Sequence, residues 1–108
     1  MKVDQFKVFN LNECNAISSG DYDWVMCYGA KNLLEDIDIT SRLLEKFKGA
    51  QIFFCSTAGE ICRTGVCEHS IVITAIKFSK TVIKSHALKV KDFINSKDAG
   101  RYLGQQLD

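Results

Sequence analysis

The residues of this chain best suited to chemistry stand together, at Cys55-Ser56-Thr57-Ala58-Gly59-Glu60. A thiol, two hydroxyls, a stretch of backbone flanked by small side chains and one carboxylate follow one another without interruption. Small residues let a ligand approach the main chain closely, and successive N–H groups that converge form an anion-binding nest. Glu60 adds a fixed negative charge at the far end. Donors on one side and a carboxylate on the other suit a zwitterion. An amino acid would place its carboxylate on the nest and its ammonium on Glu60. The structural alternative is a tight packing corner where the backbone bends, with Glu60 solvated at its rim. Ligands do favour crevices at strand ends, where this segment is expected to lie.

Two other chemistries fit less well. Cys55 or Ser56 at a strand end resembles an elbow nucleophile, but the Gly-x-Ser-x-Gly pattern is absent because Phe54 holds its first glycine position. A nucleophile also needs a base. His69 and His86 are the only histidines, and neither has an obvious orienting acid. Glu68, next to His69, points elsewhere if that segment is extended. The expectation is therefore a protein that is not an enzyme. Cys55, Cys62, Cys67 and His69 form one loose cluster, whereas structural zinc sites favour two closely spaced ligand pairs. No metal or other cofactor is expected.

The elements that must position Cys55 to Glu60 follow from hydrophobic spacing. Gln51 to Cys55 is a short apolar run that reads as a strand. Before it, Ile39, Leu43, Leu44 and Phe47 recur at helical spacing, with Asp38 or Thr40 as cap and Gly49 as stop. Asp23 to Tyr28 is a second buried strand ending at Gly29, and Gly29 to Asp36 reads as a loop. Strand, helix and strand make a βαβ unit. Upstream, Phe6, Val8 and Leu11 mark a first strand, and Asn15 to Gly20 a loop. Downstream, Arg63-Thr64-Gly65 and Glu68-His69-Ser70 are turn signals. Ile71 to Ile76 is the strongest strand, apolar enough to be covered on both faces. Thr81 to Ala87 reads as another strand, paired with it through Ser79-Lys80, and Lys89 to Lys97 as a charged connector. Ser96 caps a last helix whose face is Ala99, Tyr102, Leu103, Gln106 and Leu107. The fold class is α/β, a mixed sheet with helices packed on it. Residues 1–108 read as one domain. The last helix has no stop signal before Asp108, so this domain is expected to be partial, a fragment of a longer polypeptide.

Bulk properties narrow the function. A chain of 108 residues with 46% hydrophobic content suits a single globular domain. Fourteen basic residues face thirteen acidic ones, for a net charge of +1, which leaves no electrostatic footprint for nucleic acid. Lys77, Lys80, Lys84, Lys89 and Lys91 read as a solvated strand face. No apolar stretch approaches the ~20 residues of a membrane span, and the N-terminus carries no secretory h-region. Five cysteines, an odd number, read as reduced thiols in a cytoplasmic protein.

The stretch Phe47-Lys48-Gly49-Ala50-Gln51-Ile52-Phe53-Phe54-Cys55-Ser56-Thr57-Ala58-Gly59-Glu60-Ile61 resembles the signature of the FIST N-terminal domain family: a helix end, an apolar strand, then a Cys-Ser-Thr-Ala-Gly-Glu-Ile core. Gly65-Val66, the strand from Ser70 to Ile76 and the upstream strand from Trp24 to Tyr28 fit the same pattern, so the likeness runs over roughly residues 20 to 107. The resemblance implies a sensory domain of a signal-transduction protein that binds a small ligand, such as an amino acid, through Cys55 to Glu60. It implies a downstream FIST C-terminal domain and signalling modules such as a kinase or chemotaxis receptor as partners. Some FIST proteins are linked to haem-based gas sensing, which would make His69 or His86 the axial candidate. The first alternative to the sensory reading is a non-catalytic structural or interaction fragment whose site needs further sequence.

Overall fold

The most apolar run in the sequence becomes the centre of the sheet. In the computed structural model, which describes residues 1–107, β6 (Ile71–Lys77) is flanked on both edges. It pairs antiparallel with β1 (Lys2–Val8) on one side and with β2 (Trp24–Gly29) on the other. β3 (Gln51–Ser56) joins β2 in parallel, giving the order β1-β6-β2-β3. The architecture is the expected α/β type with a mixed sheet.

Register decides which side chains share the core. Val25 lies opposite Ala75 and Ile52, and Cys27 opposite Ile73 and Phe54. This face buries Val8, Val25, Cys27, Ile71, Ile73 and Ala75 together with Cys14, Ile39, Leu43 and Phe47 from the helices. Phe47 sits at the middle, with its ring 6.2 Å from Phe6 and 5.8 Å from Tyr22.

The βαβ unit forms as read, with one shift. Helix α3 (Ile37–Lys46) begins earlier than its apolar spacing suggests. Asp36 is the cap, accepting from the N–H groups of Asp38 at 2.9 Å and Ile39 at 3.4 Å. Ile37 is 75% exposed, so the apolar rhythm starts only at Ile39 and hides the first turn. Gly49 lies at φ +96°, a conformation that other residues adopt only with strain, and ends the helical segment before β3.

Two short helices were not expected, one running from the end of the expected first strand into the loop after it and one inside the expected Gly29 to Asp36 loop. Helix α1 (Leu11–Ala16) is capped by Asn10, whose side chain accepts from Glu13 N–H at 2.9 Å, while the Glu13 carboxylate accepts from Phe9 N–H at 3.2 Å. This reciprocal pair works as a capping box does, and it makes Leu11 helical rather than the end of β1. Helix α2 (Lys31–Leu34) is a single turn directly after β2.

The expected strand Thr81 to Ala87 does not form. β1 and β2 occupy both edges of β6, so no edge is left for it. The segment instead runs over Trp24 and Phe53, where Ser85 donates to the Gln51 side chain. A 3₁₀ turn (Val90–Asp92) then leads to α4 (Ser96–Leu107). Its first-turn acceptor is Asn95, bonded to Asp98 N–H at 2.9 Å, so Ser96 lies inside the helix rather than at its cap.

Leu43 is fully buried whereas Ile37 is mostly exposed. Leu43→Ala is expected to cost about 3 kcal/mol in urea denaturation. Asp36→Ala is expected to cost about 1 kcal/mol through the lost cap.

Candidate functional site

Strand β3 carries the signature stretch to the same end of the sheet as β2. One residue past the strand, Thr57 N–H still donates to Gly29 O at 2.8 Å, so the parallel ladder extends into the turn. On its other side Gly29 lets the start of β6 approach closely: a Cβ there would lie 2.7 Å from Ile71 Cγ1 and 3.0 Å from Ser70 O. The chain then bends at Ala58-Gly59 into β4 (Glu60–Cys62), which pairs antiparallel with β5 (Gly65–Cys67).

Glu60 is the anchor of this bend. It is only 1% exposed. One carboxylate oxygen, Oε2, accepts from Thr57 Oγ1 at 2.8 Å, and the other, Oε1, accepts from Ser70 Oγ at 2.7 Å and Ser70 N–H at 3.1 Å. Ser70 is itself fully buried, and its carbonyl accepts from Ala30 N–H at 2.9 Å. The carboxylate thereby connects the turn after β3 to the start of β6 and, through Ser70, to the end of β2. Burial pushes its pKa up, but the hydroxyls of Ser70 and Thr57 and the Ser70 amide outweigh that effect and hold it below the ordinary glutamate value. His69 adds a smaller favourable charge interaction. Glu60 is therefore ionised and turned inward. It neither stands solvated at a rim nor faces outward to meet a ligand ammonium.

The remaining residues of the stretch separate. Thr57 and Ala58 line an open depression of about 490 Å³, together with Ala30, Lys31, Asn32, Glu35, Glu68 and His69. Gly59 follows Ala58 in the bend. Cys55 is exposed beside Tyr28 on the opposite face of the sheet from the core, and its thiol contacts the Ser56 carbonyl at 3.7 Å. Ser56 is exposed at the end of β3 and does not line the depression.

The depression lies just past the carboxyl ends of two adjacent parallel strands, the usual place for a ligand in an open α/β sheet. It carries both signs of charge. Lys31 and Glu35 form an exposed ion pair at 3.7 Å on one wall, and Glu68 and His69 stand on another. His69 has φ +54°, uncommon for a residue with a side chain. Lys31, Asn32 and Glu35 lie in a segment that the sequence reads as a plain loop, where isolated polar and charged residues are ordinary. The signal that points to them is position, immediately after a strand that is parallel to the signature strand.

His86 packs 5.9 Å from the Tyr102 ring, in the C-terminal segment. Among the described residues, no group of three or more His, Cys, Asp or Glu is placed to hold a metal.

A family model for the FIST N domain matches residues 23–108. This chain belongs to the FIST N domain family. FIST domains are sensory, signal-transduction domains. The match takes in the whole βαβ unit, the Glu60 network and β6, and leaves β1 and α1 outside it. No curated protein and no solved structure matches the chain. No helix of this FIST domain is long and apolar enough to cross a membrane, among the described residues.

The Glu60 network sets a pH dependence. The folded pKa lies below the ordinary value of 4.5. The carboxylate's contribution is therefore complete above that value and is lost as pH falls through the lower folded one. Glu60→Gln turns an amide donor toward existing donors and is expected to lose on the order of 2 kcal/mol at pH 7. Denaturant titrations at pH 7 and pH 3 should show the gap between wild type and variant narrowing in acid.

Proposed function

We propose that this FIST domain binds a small zwitterion, an amino acid, in the depression between Lys31 and Thr57-Ala58, and that occupancy is the sensed signal. The observation that carries this reading is the meeting of Thr57 and Ala58, from the family signature, with the Lys31–Glu35 pair in one depression at the strand ends. Lys31 and the backbone N–H groups of the Ala58-Gly59 bend receive the ligand carboxylate. Glu35 and Glu68 receive its ammonium. Ser56 and Cys55 set the strand end, and Glu60 fixes the bend from beneath.

Binding proceeds without bond making or breaking. The ligand bridges α2, a single turn, to the turn after β3. It favours the arrangement in which the two stand at this spacing, a population shift. In the cytoplasmic signalling protein that the family suggests, a FIST C-terminal domain and a kinase or chemotaxis module would read that shift.

Isothermal titration with each common amino acid tests the proposal. At least one is expected to bind saturably, and Lys31→Gln and Glu35→Gln are each expected to weaken it about tenfold, the value of one charge-assisted hydrogen bond. Both positions are exposed, so the variants keep the fold. Absence of binding across the set, or equal affinity in the variants, would overturn the reading.

A further inference from the structure

A second chemical site lies under the β4–β5 hairpin, away from the depression described above. Glu60 lies opposite Cys67 and Cys62 opposite Gly65, so Glu60, Cys62 and Cys67 share the hairpin face turned toward the main sheet. Ile61 and Val66, 77% and 74% exposed, share the outer face. Lys7 reaches across from β1. Its Nζ donates to Cys67 Sγ at 3.4 Å and to Thr64 Oγ1 at 3.5 Å, and Thr64 Oγ1 lies 3.0 Å from Cys62 Sγ. Two half-buried thiols thus stand in one chain of contacts with an ammonium and a hydroxyl. A depression of about 420 Å³, lined by Gln5, Lys7, Cys62, Arg63 and Thr64, opens onto this group.

The environment distinguishes Cys62 from the other cysteines. The Thr64 hydroxyl and amide, helped by the Lys7 charge against a smaller burial effect, hold the Cys62 thiol below its ordinary pKa. Burial pushes Cys14 up, and Cys27 up to about 12. Cys55 contacts the Ser56 carbonyl, and Cys62 likewise contacts the Gly65 carbonyl at 3.5 Å, but of the two only Cys62 also has the Thr64 hydroxyl beside it. The thiolate is the reactive form of cysteine, and a reactive one is partly exposed and near positive charge.

We propose that Cys62 is a peroxide-reactive thiol and Cys67 its resolving partner. The Cys62 thiolate attacks one oxygen of hydrogen peroxide. An S–O bond forms, the O–O bond breaks, and its electron pair leaves as hydroxide, which takes a proton from the Lys7 ammonium or solvent to become water. Cys62 is oxidised to the sulfenic acid and the peroxide is reduced. Cys67 sulfur then attacks the Cys62 sulfur. The S–S bond forms, the S–O bond breaks, and the departing hydroxide leaves as a second water with the Cys67 proton. Diagonal neighbours across paired strands stand about 7–8 Å apart at Cα, slightly beyond the usual disulfide span. Closing the bond therefore shifts β4 along its paired strand β5 and acts on Glu60, the residue opposite Cys67.

The test uses the full chain carrying Cys55→Ser, since Cys55 and Cys62 otherwise share one tryptic peptide. After hydrogen peroxide and alkylation, mass spectrometry of a tryptic digest is expected to find residues 49–63 joined to residues 64–77. Adding Cys67→Ser is expected to abolish the link and leave a Cys62 sulfenic acid that dimedone traps. Oxidation of Cys62 is expected to run faster in the folded chain than in urea, and more slowly in Lys7→Met. Cys62 remaining alkylatable after peroxide, or reacting no faster folded than unfolded, would overturn the proposal. A Cys62 sulfenic acid that persists with Cys67 present would remove Cys67 from it.

Discussion

Three hydrogen bonds to one buried carboxylate fix how the strand ends of this domain meet. A carboxylate taken from water is costly unless its lone pairs are filled. Glu60 meets that requirement with partners from two separate places, Thr57 in the bend and Ser70 at the start of β6. Neither partner is adjacent to the other in the chain, so the carboxylate holds the bend in one position relative to the sheet. Through Ser70 O and Ala30 N–H the same constraint reaches α2 and the Lys31 wall of the depression. The family signature therefore divides its work. Its carboxylate organises the bend, while its small residues present backbone to the open side.

The βαβ unit was legible because its signals are long and mutually consistent. Ile39, Leu43 and Phe47 give helical spacing, and both flanking strands are short apolar runs closed by glycine or small polar residues. β6 was legible for the same reason, as an apolar run from Ile71 to Ile76 interrupted only by Thr74. Shorter elements were not. Helices α1 and α2, of 6 and 4 residues, contain too few turns to build a rhythm, and only the Asn10–Glu13 cap marks the first. Thr81 to Ala87 has the composition of a strand, but pairing with β6 needs one of the β6 edges to be vacant. The sequence does not show that β1 returns from the far end of the chain to take it.

The site was legible as a place more than as a set of roles. Residue types located the turn after β3, and topology put Thr57 and Ala58 where a ligand is expected. The role of Glu60 was hidden because its partner Ser70 lies ten residues further on, beyond the hairpin. A glutamate after Ala-Gly reads as solvated when that return is not known. Lys31 and Glu35 were hidden for a related reason: both acquire meaning only from the end of β2 beside them. The Lys7, Thr64, Cys62 and Cys67 group joins residues from opposite halves of the chain, and no local pattern announces it.

The claim that Glu60 holds the bend is tested most directly by amide hydrogen exchange in wild type and Glu60→Gln. Glu60→Gln is expected to speed exchange at Ser70, Thr57 and Ala30 by about tenfold or more, the effect of losing one or two such bonds. Val25 and Cys27, in the sheet core, are expected to keep their protection. Unchanged exchange at Ser70 and Thr57, or loss of protection spread evenly over the sheet, would contradict it.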